Sequence, residues 1–439
     1  MAVGREEDEV NEVDEVSRRL GASALALGVS AAIGLSPISG WAGGAGLYEM
    51  GTIDQGTAAA GRAALAWDAS TAFTNPAGMS RLEDNEAVFG LEGFIIQLKF
   101  DPTPETSVPG SPTGSPGGFM PGGSVHAVFE TAPGQRFGMS LASTAAIALD
   151  YDDDWVGRYY AAESAFLTVT LNPSYSIRLN DEVSVGGGFD IMAGSLIASL
   201  PVNNALDGIP DGKLEVDTGA TGFGWNAGVL IEPDAETRFG FTYRSAVDLD
   251  FDDVASVSGL GPGLQGLLAG SGVLGSELDV GMTMPQEVMV SGYRVLNDEW
   301  ALMGNFGWQN WEEFGRVEIA VADSTSLTTP STYDDTWHVA LGVHYRMQPT
   351  WLGMAGYAFD SSASEDETRS ISMPFDTARR YALGVLHEHS DRLDWGFAYE
   401  LISGGDAPVN QSRPLAGTVV GDFDTSLIHV VSFHTRWRW

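Results

Sequence analysis

The segment Leu427-Ile428-His429-Val430-Val431-Ser432-Phe433-His434-Thr435-Arg436-Trp437-Arg438-Trp439 reads with a period of two. Leu427, His429, Val431, Phe433, Thr435, Trp437 and Trp439 fall on one face, and Ile428, Val430, Ser432, His434, Arg436 and Arg438 on the other. Alternation of this kind marks a strand whose two faces meet different surroundings. Here one face is mostly apolar and aromatic, the other richer in polar groups. The pattern recurs at Trp337, Val339, Leu341, Val343 and Tyr345, set against His338, Ala340, Gly342, His344 and Arg346. From about Asn85 to Trp439 no segment keeps a helical period over three turns, so an all-β chain is predicted.

The connections alternate in length. Short polar turns stand at residues 133–135, 180–182, 233–236, 297–299, 347–349 and 390–392. Long loops stand at residues 102–123, 151–160, 201–219, 252–279, 323–334, 361–376 and 404–424. Six turns and seven loops join about fourteen strands. An even count, with short turns at one end and long loops at the other, is the layout of a transmembrane antiparallel β-barrel of the outer membrane. Trp300, Trp308, Trp337, Trp351, Trp395, Trp437 and Trp439 lie near strand ends, where aromatic girdles sit. A soluble propeller would repeat about every forty residues; no such repeat is found.

Composition excludes several functions. The formal charge is −37, and Lys99 and Lys213 are the only lysines, so no nucleic acid is expected as a partner. Absence of Cys excludes disulfides and thiolate metal sites. The acidic loops read as a solvated surface, with cation binding at the outer face as the sharper alternative. There is no Gly-x-Ser-x-Gly elbow, His-Glu-x-x-His helix or phosphate loop, so no enzyme, cofactor or metal is predicted.

Arg18-Arg19, an apolar run over residues 20–35 and the small residues around Trp41 read as a signal peptide cleaved near Ala42, making residues 1–42 a targeting segment. Its acidic extension, residues 6–15, is unusual, and Val16 fits as the true initiator. After it, Asp68 to Met79 is a small-residue loop in which Asn75-Pro76 starts a turn.

Residues inferred to face the lumen mix Arg136, Asp190, Asn226, Arg244, His344 and Glu400 with Met192, Leu230, Met289, Met303, Leu352, Met354 and Leu386. Flexible Met suits apolar ligands of variable shape, or packs against a plug; both readings stand. Leu260, Leu264, Leu267 and Leu268 lie among Gly and Ser in a long loop. They form either an outer docking surface for hydrophobic solutes or a packed loop.

Several motifs carry a resemblance. They are Gly44 to Glu49, Gly61-Arg62-Ala63, Asp68 to Met79, Trp155 to Tyr159, Asn172-Pro173-Ser174, Gly224 to Gly228, Thr242 to Ser245, Gly356 to Asp360 and the terminal strand. In this order they resemble the long-chain fatty acid outer-membrane transporter (FadL) family, which includes channels for aromatic hydrocarbons. The resemblance implies a fourteen-stranded barrel over residues 86–439, plugged by a small N-terminal hatch over residues 43–85. It implies passive uptake of hydrophobic compounds, such as long-chain fatty acids, by lateral diffusion through a kink in the third strand. Asn75, Pro76 and Ala77 match the hatch motif near that opening. Gly138, Ala142, Ala145 and Ala146 are the small residues that would permit the kink. Arg158 and Arg244 match positions that would pair with a carboxylate head group or form lumen ion pairs; Met192, Leu230, Met303 and Met354 are candidate ligand contacts. The expected partners are a hydrophobic substrate, outer-membrane lipid of a Gram-negative cell and, through the strand ending at Trp439, the barrel-assembly machinery, with the chain a monomer.

Two features depart from the family pattern. The loop over residues 102–121 is rich in Pro, Gly and Ser, and the chain is strongly acidic, which repels fatty acid anions at low ionic strength. Two other functions compete: a water-filled porin for polar solutes, and an outer-membrane enzyme acting on lipid.

Overall fold

The computed structural model describes residues 48–439, apart from residues 113, 205, 254–255, 271–277, 315–317, 322–324, 329–332, 373–374 and 414–415. The predicted signal peptide, residues 1–42, and the first hatch residues lie outside the described residues.

Fourteen antiparallel strands close a ring: β1 (Glu86–Pro102), β2 (Gly118–Ala132), β3 (Gln135–Asp150), β4 (Glu163–Arg178), β5 (Val183–Val202), β6 (Gly212–Ile231) and β7 (Thr237–Arg244), then β8 (Glu287–Val295), β9 (Trp300–Gln309), β10 (Thr336–Gln348), β11 (Trp351–Asp360), β12 (Ala378–Ser390), β13 (Leu393–Ser403) and β14 (Gly417–Arg438). Closure comes from β14, which pairs with β13 and with β1, from Glu86↔Arg438 to Pro102↔Gly421. The wall therefore has the predicted strand number and direction.

The alternation read from the sequence orients each strand. Leu341 and Leu383 are 68% and 64% exposed on the outer face, while Ala340 and Ala382 beside them are buried. In β14, Val431 and Trp437 face out and Val430, Ser432 and His434 face in. Among the girdle candidates, Trp300, Trp337, Trp437 and Trp439 are exposed. An outer face of this kind is stable only in lipid.

The long connections hold more structure than the sequence predicted. Val247–Asp253, Leu278–Met284, Glu318–Val321 and Thr325–Thr328 build a separate antiparallel sheet that borders and enters the loops expected at residues 252–279 and 323–334. Pro262–Gly270 is a helix within the same excursion, and Ala407–Arg413 pairs with the outer half of β14. The Pro/Gly-rich segment is only partly loop, since β2 begins at Gly118.

Residues 48–85 fill the lumen as a hatch of short helical turns, Ile53–Thr57, Thr71–Thr74 and Pro76–Arg81. Small residues let it sit close to the wall, with Ala60, Ala63, Ala64, Ala69, Ala72 and Ala77 all fully buried. Polar contacts fix its position. Arg380 of β12 pairs with Glu49 of the hatch and, at 2.8 Å, with Asp360, which accepts a 2.7 Å bond from His338 when that ring nitrogen carries the proton. Glu400 lies 3.9 Å from the same guanidinium. Removing the single cation from this buried group would leave carboxylates facing one another.

Candidate functional site

The β2–β3 ladder is incomplete. Its rungs run from Ala132↔Gln135 to Ser124↔Ala142 and stop, although β2 continues outward with β1 to Ile96↔Gly118 and β3 with β4 to Asp150↔Glu163. Above the gap the loops clasp again, where Ser111 donates to the Asp154 carbonyl at 2.8 Å and Val156 to the Ser111 carbonyl at 3.1 Å. The result is a framed window in the wall, edged by residues 118–123 and 143–150.

The register of β3 against β4 shifts between Ser143 and Ala145, leaving Thr144 as an extra residue. A bulge inserts one residue and reverses which side the following side chains take. Leu141 accordingly faces out, 46% exposed, whereas Leu149, of the same parity, is buried. The Thr144 hydroxyl is held 2.8 Å from Thr168 and 3.0 Å from Thr170.

Inside the window lies a cavity of about 90 Å³, bounded by Tyr48, Arg62, Phe73 and Thr74 of the hatch, and by Thr144, Met192, Asn226, Arg244, Met284 and Glu287 among others. Thr144 belongs to both the bulge and the cavity wall. An apolar cavity of about 150 Å³ holds benzene, so a ligand enters here only with movement of side chains, and Met192 and Met284 supply flexible ones. Outward, a large apolar cluster including Phe94, Leu149, Phe166, Leu196, Phe251 and Phe314 fills the lumen between the cavity and the loops.

Asn75 anchors the hatch. Its amide nitrogen donates to the carbonyls of Ala63 (2.6 Å) and Val229 (3.2 Å), and its oxygen accepts from the Ala77 N–H (3.1 Å). A side chain at Gly228 would collide with that oxygen, and one at Gly186 with the Pro76–Ala77 peptide. Asn75-Pro76-Ala77 thus lies against β5 and β6, with its polar contact to the wall made at Val229 of β6. Contact with β3 comes from neighbours: Phe73 packs with Met50 and Ala142, and Met79 lies against Gly138.

The other candidates divide by location. Arg244 lines the cavity, pairs with Asp190 at 2.5 Å, donates to the Phe73 carbonyl at 2.9 Å and lies 4.0 Å over the Phe73 ring. Arg158 is in the outer loops, bonded to the Pro109 carbonyl (2.8 Å) and 3.3 Å from Asp211. Beside it, burial and the bond to Asp211 push the Tyr159 phenol above its ordinary value. Met192 lines the cavity, whereas Met303 and Met354 pack on Gly61 and Gly56 of the hatch and Leu230 on Ala66 and Ala77. Ala145 and Ala146 follow the bulge, on the window edge. Leu264 is buried against Ala162, Leu200, Val202 and Leu214, Leu260 packs beside it, and Leu267 is 45% exposed; the Leu268 side chain lies outside the described residues. Sequence reasoning bracketed Thr144 between Ala142 and Ala146 without singling it out, and did not name Phe73 or Glu287 as cavity residues.

A family model described as outer membrane protein transport protein (OMPP1/FadL/TodX) matches residues 35–431. The long-chain fatty acid transport protein of Escherichia coli O6:H1 is 28% identical over 405 residues, covering 84% of this chain and 90% of that protein. Outer membrane protein P1 of Haemophilus influenzae (strain Rd) is 25% identical over 399 residues, covering 80% and 84%. In three dimensions the chain is similar to a Pseudomonas aeruginosa FadL homologue, with TM-score 0.81 and 22% identity over 90% of this chain and 99% of that one. Its likeness to the Pseudomonas putida toluene transporter TodX has TM-score 0.63 at 14% identity, over 84% and 94%. With nearly the whole described chain matched, this β-barrel belongs to the outer membrane protein transport protein (OMPP1/FadL/TodX) family.

Proposed function

We propose that this barrel takes up hydrophobic compounds passively, passing them from the outer apolar cluster into the cavity above the hatch and out sideways through the β2–β3 window. Support comes first from Thr144, the extra residue that interrupts β3, which also lines the cavity. The ligand class extends from long-chain fatty acids to aromatic hydrocarbons, the compounds named in the relatives' titles. Arg244 is the candidate polar contact for a head group, and its existing pair with Asp190 tunes it toward neutral or weakly polar ends rather than free anions. The chain acts as a monomer in outer-membrane lipid, its last strand presented to the barrel-assembly machinery.

The reading is non-enzymatic. His126 has Ser124 and Ser140 each 2.9 Å away, the arrangement of a hydrolytic pair, but all three are buried and the Ser124 hydroxyl donates to the Met50 carbonyl at 2.6 Å. A porin would need a continuous wet lumen, and the hatch occupies it.

The test is uptake of labelled long-chain fatty acid and labelled alkylbenzene by cells carrying the wild type or a deletion of Thr144. Deletion restores a regular β3, closes the window and brings uptake of both ligands to background while the barrel still assembles. Undiminished uptake through an assembled deletion variant sinks the lateral route; a large steady ion current through the wild type in planar bilayers favours the porin.

A further inference from the structure

The opposite end of the lumen holds a second cavity, of about 420 Å³. The underside of the hatch, Trp67 and Arg81, forms its roof. Arg238 of β7, Tyr293 of β8 and His344 of β10 form its wall, and its mouth lies among the short turns, at Ala235 and Asn297 to Glu299. It shares no lining residue with the cavity behind the window.

Most cations around it have carboxylate partners. Arg81 lies 2.9 Å from Glu232, Arg346 2.8 Å from Glu388 and Arg436 2.8 Å from Glu86. Arg238 differs. It is 4% exposed, its guanidinium lies 3.9 Å over the Tyr293 ring, its Nε has no hydrogen-bond partner, and no carboxylate among the described residues comes within ion-pair distance. His344 is also buried, with the rings of Trp67 and Tyr293 at 5.6 Å and 6.2 Å, and neither of its ring nitrogens has a partner.

Buried polar groups are ordinarily satisfied, and a buried cation without a counter-charge is costly. Acid is in excess in this chain, 59 residues against 22 basic, so the missing counter-charge is a property of this cavity and not of the composition. Of the nearby acids, Glu232 is already paired with Arg81 and Arg178 and Glu388 with Arg346, while Asp298 and Glu299 sit exposed at the mouth, where solvent and salt screen them.

We propose that this cavity binds a small oxyanion, a carboxylate or a phosphate, from the periplasmic solution, with Arg238 as its counter-charge and His344 as a hydrogen-bond donor. A guanidinium and an imidazole N–H lining one cavity suit oxyanion oxygens. Since Trp67 and Arg81 belong to the hatch, the bound anion joins the hatch to the wall from below. This site stands independently of lateral transport.

The experiment is calorimetric titration of the purified full barrel with inorganic phosphate and, separately, with acetate, at ionic strength held constant with sodium chloride. Saturable single-site heat from either supports the proposal, and the tighter binder identifies phosphate or carboxylate as the preferred group. Arg238→Gln weakens binding by at least about tenfold, whereas Lys99→Gln, at the other end of the molecule, leaves it unchanged. Heat-dependent gel mobility reports whether each variant is a folded barrel. Should Arg238→Gln not fold, wild-type crystals soaked in selenate decide: an anomalous peak within hydrogen-bond distance of Arg238 and His344 supports the site. No saturable heat in the wild type, equal affinity in a folded Arg238→Gln barrel, or selenate bound only elsewhere overturns it.

Discussion

Between β5 and β6 the rungs run unbroken from Val183↔Ile231 to Val202↔Gly212; between β2 and β3 they stop at Ser124↔Ala142. Both seams belong to one wall in one membrane, where an unpaired backbone group has no water to turn to. The difference shows that the missing rungs are a local device and not a general looseness of the barrel. Its edges fit that role, because Pro121 removes one donor from β2 and Gly118, Gly122 and Gly123 carry no side chain to fill the opening. The hatch, meanwhile, takes polar anchors around the wall, from Val229 on β6, Ser291 on β8 and Arg380 on β12, and also from Ser124 at the last formed rung of the interrupted seam.

Cross-linking breaks the comparison most directly, and the chain has no Cys to interfere. A disulfide from Gly123→Cys with Ser143→Cys, at the first missing rung, abolishes uptake until reductant is added. One from Ser195→Cys with Gly219→Cys, a formed rung of the β5–β6 seam, leaves uptake unchanged. Equal effects of the two would remove the functional distinction between the seams. Next is the hatch anchorage. Arg380→Met strips the cation from Glu49, Asp360 and Glu400 and destabilises the barrel by ~3–5 kcal/mol, read as a lower temperature of heat modification on gels. Asn75→Ala frees the Ala63 and Val229 carbonyls, costs ~1–3 kcal/mol and raises ion conductance as the hatch loosens; an unchanged current would show that Asn75 does not hold it. Smallest is Lys99→Gln, at an exposed pair with Asp101, which leaves the temperature of heat modification unchanged because solvent screens the pair.

The wall was legible because each strand separates lipid from lumen, and that separation writes a period of two into residues such as 427–439. The short turns were legible for a related reason: they are polar breaks between such runs. The bulge was not. Residues 143–150 of β3, Ser-Thr-Ala-Ala-Ile-Ala-Leu-Asp, are small or apolar at both parities, so inserting Thr144 leaves no break in the pattern. Phe73 was hidden likewise, since a hatch without regular periodicity does not announce which side chain reaches the wall. The outer sheet escaped because its strands, such as Val247–Asp253, are short and acidic. Asn75 was found through a motif, while its geometric reason, the space left by Gly228, emerged only when distant segments were brought together.

The ladder joining β1 to β14 has a consequence for assembly. Its partners, Glu86 and Arg438, stand at opposite ends of the described chain, so the ring shuts only after every other strand is in place. Until then β1 and β14 are two open edges, each a template for pairing with a foreign strand. The hatch precedes β1 in sequence yet ends up enclosed, so it must be gathered in while that seam is still open. Closing the cylinder and trapping its stopper are therefore a single event, and a hatch that misses that moment is left outside a finished pore.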